Sequence, residues 1–137
     1  MVKFMLASHG TFAEGIKSAL ELILGKQPNV STICAYVNGE NDVKPRIKDF
    51  IEHIQPDEEW IIVTDVFGGS VNNEFMNYLR NHRIHLVSGM NLPLLVELVT
   101  NPSESAEDKI QSALEVAKEE IKYCNQLPAD SQNDEDF

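Results

Sequence analysis

The sequence predicts an α/β fold, doubly wound, with a mainly parallel four-stranded sheet and helices on both faces. Three observations carry that expectation. Short runs rich in β-branched and aromatic residues alternate with longer segments of helical period. The first run, Val2 to Ala7, is apolar apart from Lys3, as suits a strand buried on both faces. The chain has 137 residues, 42% of them hydrophobic and 24% charged, which suits one domain with one core. Right-handed crossovers leave few topologies for four such strands, and 2-1-3-4 is the order expected.

Val2 to Ala7 is the first strand. From Thr11 to Leu24, Ile16, Ala19, Leu20, Ile23 and Leu24 fall at i, i+3, i+4, i+7 and i+8, the stripe of an amphipathic helix, with Gly25 as its stop. Val30 to Val37 is β-branched and aromatic, and the turn Asn38-Gly39 closes it. Asp42 stands where it can cap a second helix bearing Val43, Ile47, Phe50, Ile51 and Ile54, with Pro45 in the first turn. Trp60 to Val66 is the strongest strand pattern in the chain. Gly68-Gly69-Ser70 then opens a helix marked by Phe75, Met76 and Leu79. Ile84 to Val87 is a short fourth strand, and Ser88 to Asn91 leads into a helix from Leu92 to Thr100. After Asn101-Pro102 a last helix is expected from Ser103 to Tyr123, with Ile110, Leu114, Ala117 and Ile121 on one stripe. Residues 1–125 read as one domain, and 126–137 as an acidic tail expected to stay disordered.

Charge and cysteine content narrow the function. Twenty-two acidic side chains against 11 basic ones give a net charge of −11. Four of those acids lie in 127–137 with no base, so the rest of the chain still carries −7. Such a surface repels a phosphate backbone, and nucleic acid is excluded as an expected partner. Cys34 and Cys124 form neither a disulfide framework nor a metal or redox motif. No His/Cys/Asp/Glu cluster has metal spacing, so no metal is expected. The apolar start is too short for a signal-peptide core and no run approaches a membrane span, so a cytoplasmic protein is expected.

The order 2-1-3-4 opens a crevice at the carboxyl ends of strands one and three, whose following helices go to opposite faces. Ser8-His9-Gly10 follows strand one, and Asp65-Val66-Phe67-Gly68-Gly69-Ser70 ends strand three, so topology alone draws His9 and Asp65 to that crevice. A carboxylate on one imidazole N–H fixes the tautomer and leaves the other nitrogen a nucleophile. A Gly-Gly-Ser turn opening a helix offers backbone N–H groups and the positive end of the helix dipole to phosphate oxygens. On the residues alone two readings stand: a phosphate-handling site, or a turn-capping histidine beside an Asp or Ser cap. His53, His82 and His85 lack any such neighbourhood. The first two read as solvated and the third as packing at a short strand.

Taken together, these blocks resemble the IIA domains of the mannose-type (mannose, fructose, sorbose) sugar phosphotransferase system of bacteria. The similar segments are Ser8-His9-Gly10, Leu24-Gly25, Asn38-Gly39-Glu40-Asn41, Asp65 to Ser70 with Asn72 or Asn73 beyond, and Ser88-Gly89-Met90-Asn91-Leu92-Pro93-Leu94-Leu95 with Glu97. They fall in that family's order over residues 1–125. The resemblance implies that His9 carries a phosphoryl group on Nε2, taken from the phosphocarrier protein HPr and passed to a histidine of the IIB component. The membrane components IIC and IID would act further on. It implies that Asp65 holds Nδ1–H and that Gly68, Gly69 and Ser70 stabilise the phosphate. Ser8, Gly10, Phe67 and the loop Gly89, Met90, Asn91, Leu92, Pro93 would line the site. No cofactor is implied. The family's homodimer exchanges a C-terminal segment into the partner's sheet, whereas Glu115 to Tyr123 reads here as helix, which leaves the exchange open.

The chain departs from the family pattern at Val71, where proline is frequent, and at Phe67, where tryptophan is frequent. Neither is a reacting group, although without proline the turn at Ser70 is less constrained. Other readings fit less well. A receiver domain needs an acidic pair after strand one, where Ser8-His9 stands. A serine hydrolase built on Ser70 lacks the GxSxG elbow. A regulatory module that senses phosphate without passing it on, and the phosphotransfer subunit of dihydroxyacetone kinases, remain the alternatives.

Overall fold

The structure, a computed structural model, describes residues 1–129. Its elements run β1 (Val2–His9), α1 (Phe12–Leu24), β2 (Val30–Ala35), α2 (Lys44–Glu52), β3 (Glu59–Thr64), α3 (Ser70–Met76), β4 (Ile84–Ser88), α4 (Leu92–Thr100) and α5 (Ala106–Glu119), followed by a 3-10 turn at Cys124–Gln126. The sheet is parallel throughout and ordered β2-β1-β3-β4, as the alternation of strands and helices predicts. The order reverses between β1 and β3, where Ala7 lies opposite Thr64.

Both faces of the sheet are covered, and residues one apart on β1 serve different cores. Phe4 and Leu6, with Ile61 and Val63 of β3, pack beneath α1, α4 and α5 through Leu20, Leu94, Leu98 and Ala113. Met5 and Ala7, with Trp60 and Ile62, face α2 and α3 through Ile47, Val71 and Phe75. This double burial is why β1 and β3 are apolar at every position from Phe4 to Ala7 and from Ile61 to Val63.

Several boundaries differ from the sequence pattern. β2 stops at Ala35 because Tyr36 and Asn38 have φ of 63° and 55°, which carries the chain out of the sheet. Asp42 does act at the start of α2, accepting the Lys44 N–H at 3.0 Å, but from one residue before the flanking Val43. β3 ends at Thr64, leaving Asp65 and Val66 in the following turn. Leu79 lies past the end of α3 and is exposed. The final helix begins at Ala106, where Ser105 accepts the Asp108 N–H, and ends at Glu119 instead of Tyr123. Its buried stripe runs Ala106, Lys109, Ala113, Ala117; Ile121, next on that period, is 81% exposed. Without apolar surface to cover there, the helix has no reason to continue. Of the expected disordered tail, residues 130–137 lie outside the described residues.

Candidate functional site

β1 delivers His9 to the carboxyl edge of the sheet and β3 delivers Asp65 beside it. Below them Ser8 is buried: its Oγ accepts the Ala13 N–H at 2.8 Å and donates to the Gly10 carbonyl at 3.3 Å. Ser8 therefore holds the turn into α1 and does not line the opening. Gly10, with φ of 58°, makes the bend that turns the chain off the strand behind His9. The His9 side chain remains 43% exposed, against 14% for Asp65.

One oxygen of Asp65 takes two bonds from the same residue. Oδ2 accepts the backbone N–H of His9 at 2.8 Å and the ring Nδ1–H at 2.8 Å, while Oδ1 accepts the Val66 N–H at 3.0 Å. Burial pushes the Asp65 carboxyl up, but the bonds from the His9 backbone and ring, with that from Val66, outweigh it and hold the carboxyl below its ordinary range. An ionised Asp65 keeps the proton on Nδ1, which leaves the ring's lone pair on Nε2.

On the Nε2 side Ser70 Oγ lies at 3.2 Å, and Tyr36 Oη lies 2.7 Å from Ser70 Oγ. The Tyr36 and His9 ring centroids are 5.5 Å apart. Gly68 has φ of 82°, a conformation that favours glycine, and its carbonyl accepts from Asn73 Nδ2 at 3.0 Å. A Cβ on Gly69 would stand 2.8 Å from Val66 Cγ1 and 3.2 Å from His9 Cε1, so the absent side chain leaves room for the imidazole. Beneath the turn Thr64 donates to buried Asn72 at 2.6 Å, tying the end of β3 to α3. Val66 and Phe67 stand out into solvent, Phe67 at 80% exposure.

The loop Gly89 to Pro93 is fastened to the same strand end, for Gly89 and Met90 both donate their N–H groups to the Thr64 carbonyl, at 3.0 and 2.9 Å. Met90 is buried in the core and Leu92 packs against it, while Asn91 caps α4 by accepting the Leu94 N–H at 3.0 Å. This loop buttresses the Asp65 turn from behind, and no hydrogen bond joins it to the rings of His9 or Tyr36. Of the other histidines, His53 contacts Asp49 at the end of α2, His82 is exposed, and His85 Nε2 pairs with Glu59 at 2.5 Å. No group of three His, Cys, Asp or Glu among the described residues could hold a metal.

Three residues absent from the sequence-derived site belong to it. Tyr36 reaches Ser70 directly, and Glu40 and Arg46 hold Tyr36. A hydrogen bond from Arg46, reinforced by the Tyr36 N–H, keeps the Glu40 carboxyl below its ordinary range. A cleft of about 300 Å³ extends from this corner between Tyr36, Lys44, Ser70 and Asn73.

The doubly wound sheet thus presents, at its carboxyl edge, a carboxylate-oriented histidine beside a Gly-Gly-Ser turn. Residues 3–115 match the model of the EIIA-man family, described as PTS system fructose IIA component, and the chain belongs to that family. It is 32% identical over 123 residues to the sorbose-specific EIIA component of the phosphotransferase system (PTS) of Klebsiella pneumoniae, covering 87% of this chain and 89% of that protein. A structure from K. pneumoniae subsp. pneumoniae MGH 78578, assigned to a phosphoenolpyruvate-dependent sugar PTS permease, superposes with a TM-score of 0.87 at 45% identity, covering 91% and 92% of the two chains. The PTS component EIIA of Streptococcus agalactiae superposes with a TM-score of 0.79 at 28% identity, over 93% of this chain and all of that one. The chain is thus a PTS EIIA component of the mannose, sorbose and fructose type. Among the described residues no helix is long and apolar enough to cross a membrane.

Proposed function

We propose that the protein is the phosphoryl carrier of a mannose-type PTS, in which His9 Nε2 takes the phosphoryl group from phospho-HPr and gives it to a histidine of a IIB component. The observation that carries this is the division of the ring: Nδ1 is held by Asp65 at 2.8 Å and Nε2 faces the opening beside Ser70. In the forward step the Nε2 lone pair forms a bond to phosphorus as the donor's N–P bond breaks, and that electron pair returns to the donor's ring nitrogen. His9 keeps its Nδ1 proton, so the phosphorylated ring is cationic and the Asp65 carboxylate supplies its counter-charge. The protein's contribution is placement and charge. IIB would in turn serve the membrane components IIC and IID, with sugar phosphorylated as it enters, and the carrier would work in the cytoplasm.

Incubation with phosphoenolpyruvate, enzyme I and HPr is expected to label His9 alone among the four histidines, with a phosphate that is labile in acid and stable in base. The label is lost in His9→Ala. An acid-stable label, or one that survives His9→Ala, contradicts the assignment. The order Asp65–His9–Ser70 is also that of a hydrolase triad. Family membership favours the histidine as the reacting group, and a serine-directed fluorophosphonate is expected to leave Ser70 unmodified. A homodimer is the expected assembly, with the exposed segment around Ile121 and Tyr123 available for exchange onto the outer edge of β4. A monomer mass by light scattering at tens of micromolar would refute it.

A further inference from the structure

The turn after β2 brings to the site a side chain for which the reaction as described has no use. Tyr36 has φ of 63°, a region that a bulky residue occupies only where its surroundings hold it. Here they do. Its N–H donates to Glu40 Oε1 at 3.1 Å, and Arg46 grips both oxygens of Glu40, from Nε at 2.9 Å and from Nη2 at 3.0 Å. Arg46 Nη2 also donates to the carbonyl of Cys34, which fastens the clamp to β2. The result is a Tyr36 hydroxyl 2.7 Å from Ser70 Oγ, which itself lies 3.2 Å from the reacting nitrogen.

We propose that Tyr36 is a positioning residue for phosphoryl transfer: its hydroxyl aims the Ser70 hydroxyl first at His9 Nε2 and then, once that nitrogen is phosphorylated, at a phosphoryl oxygen. The proposal rests on His9 being the carrier. Counting hydrogens sets the direction of the chain. Because Asp65 keeps the ring proton on Nδ1, Nε2 can only accept, and Ser70 must donate to it. The single hydrogen of Ser70 is then used, so the contact with Tyr36 must be the tyrosine O–H donating to Ser70 Oγ. When Nε2 commits its lone pair to phosphorus, the serine hydrogen loses its acceptor, and the nearest replacement is an oxygen of the new phosphoryl group. Tyr36 need not move in this exchange, and its bond stops Ser70 from rotating away.

The test uses Tyr36→Phe, which deletes the hydroxyl and keeps the ring, alone and combined with Ser70→Ala. In single-turnover transfer from phospho-HPr, Tyr36→Phe is expected to slow phosphorylation of His9 by about 2- to 10-fold, the worth of one neutral hydrogen bond, with the half-saturating donor concentration unchanged. In the Ser70→Ala background it is expected to cost nothing further, since Tyr36 acts through Ser70. In the unphosphorylated protein the ¹⁵N resonance of His9 Nε2 should move in Tyr36→Phe and stay put when Tyr36→Phe is added to Ser70→Ala. Losses that add, or an unchanged rate and resonance in Tyr36→Phe, overturn the proposal. The resonance needs no phosphoryl donor: a coupled shift in a protein that accepts no phosphate refutes the carrier reading and leaves the hydrogen-bond chain standing.

Discussion

Oδ2 of Asp65 accepts from both the backbone and the ring of His9, and this double contact decides what an amide there would do. Asparagine with its oxygen toward His9 keeps both bonds but turns its NH₂ toward the Val66 N–H, donor against donor. The reverse orientation would set the NH₂ against two donors. Asp65→Asn should therefore retain the Nδ1–H tautomer and lose the counter-charge to a phosphorylated ring. We expect phosphorylation of His9 to slow by about 100-fold or more, in the range found when a preorganised electrostatic partner is removed. Normal binding of HPr with slow labelling is the result to look for. The same carboxyl has its folded pKa depressed, so its stabilisation is fully present above the unfolded value of about 3.9 and is lost as pH falls through the lower folded value. Urea midpoints of wild type and Asp65→Asn should differ at pH 7 and draw together only below about pH 4. A gap that closes near neutrality would deny the carboxylate this role.

α3 has seven residues, too short to stand by its own backbone bonds. Two buried side chains, Val71 and Phe75, and the Thr64–Asn72 bond hold it to the sheet, and with it the Ser70 turn. Asn72→Ala strands the Thr64 hydroxyl in the core, and a loss of about 1 to 3 kcal/mol in unfolding free energy is expected from chemical denaturation. Thr64→Val added to Asn72→Ala should recover part of it. The sequence made the elements and their order legible because double burial leaves β1 and β3 unmistakably apolar, and the order 2-1-3-4 then draws His9 and Asp65 together without reference to any contact. The same logic reaches Tyr36, since β2 lies beside β1 and ends at the same edge. Its role stayed hidden because it depends on a left-handed turn at a non-glycine residue, which local pattern does not announce. The overrun of α5 has the opposite cause: the apolar stripe through Ile121 continues in the sequence after the surface it would cover has ended.

Across the whole molecule, two helical layers bury both faces of the sheet, so the carboxyl edge is where β1 and β3 can offer functional groups to another protein. Phe12, Val66 and Phe67 are exposed apolar side chains close in sequence to His9 and Asp65, and the chain carries −11 overall. A partner with a basic or neutral rim around its own histidine suits that surface. The association rate with HPr is expected to fall as salt is raised from low ionic strength to about 0.15 M, where the screening length shortens to about 8 Å. Stopped-flow rates indifferent to salt would count against steering of this kind.

His9 has a lone pair to offer on one ring nitrogen only, Nε2, because the other is protonated and tied to Asp65. With His9 as the proposed carrier, donor and acceptor would use one doorway in turn, the first departing before the second can enter. The traffic is that of a shuttle with one berth: double-reciprocal plots at several acceptor concentrations should run parallel, and an excess of unphosphorylated HPr should compete with IIB for the loaded carrier. The rate at which sugar is taken up would then depend on how quickly each visitor leaves as well as on how fast the phosphoryl group moves.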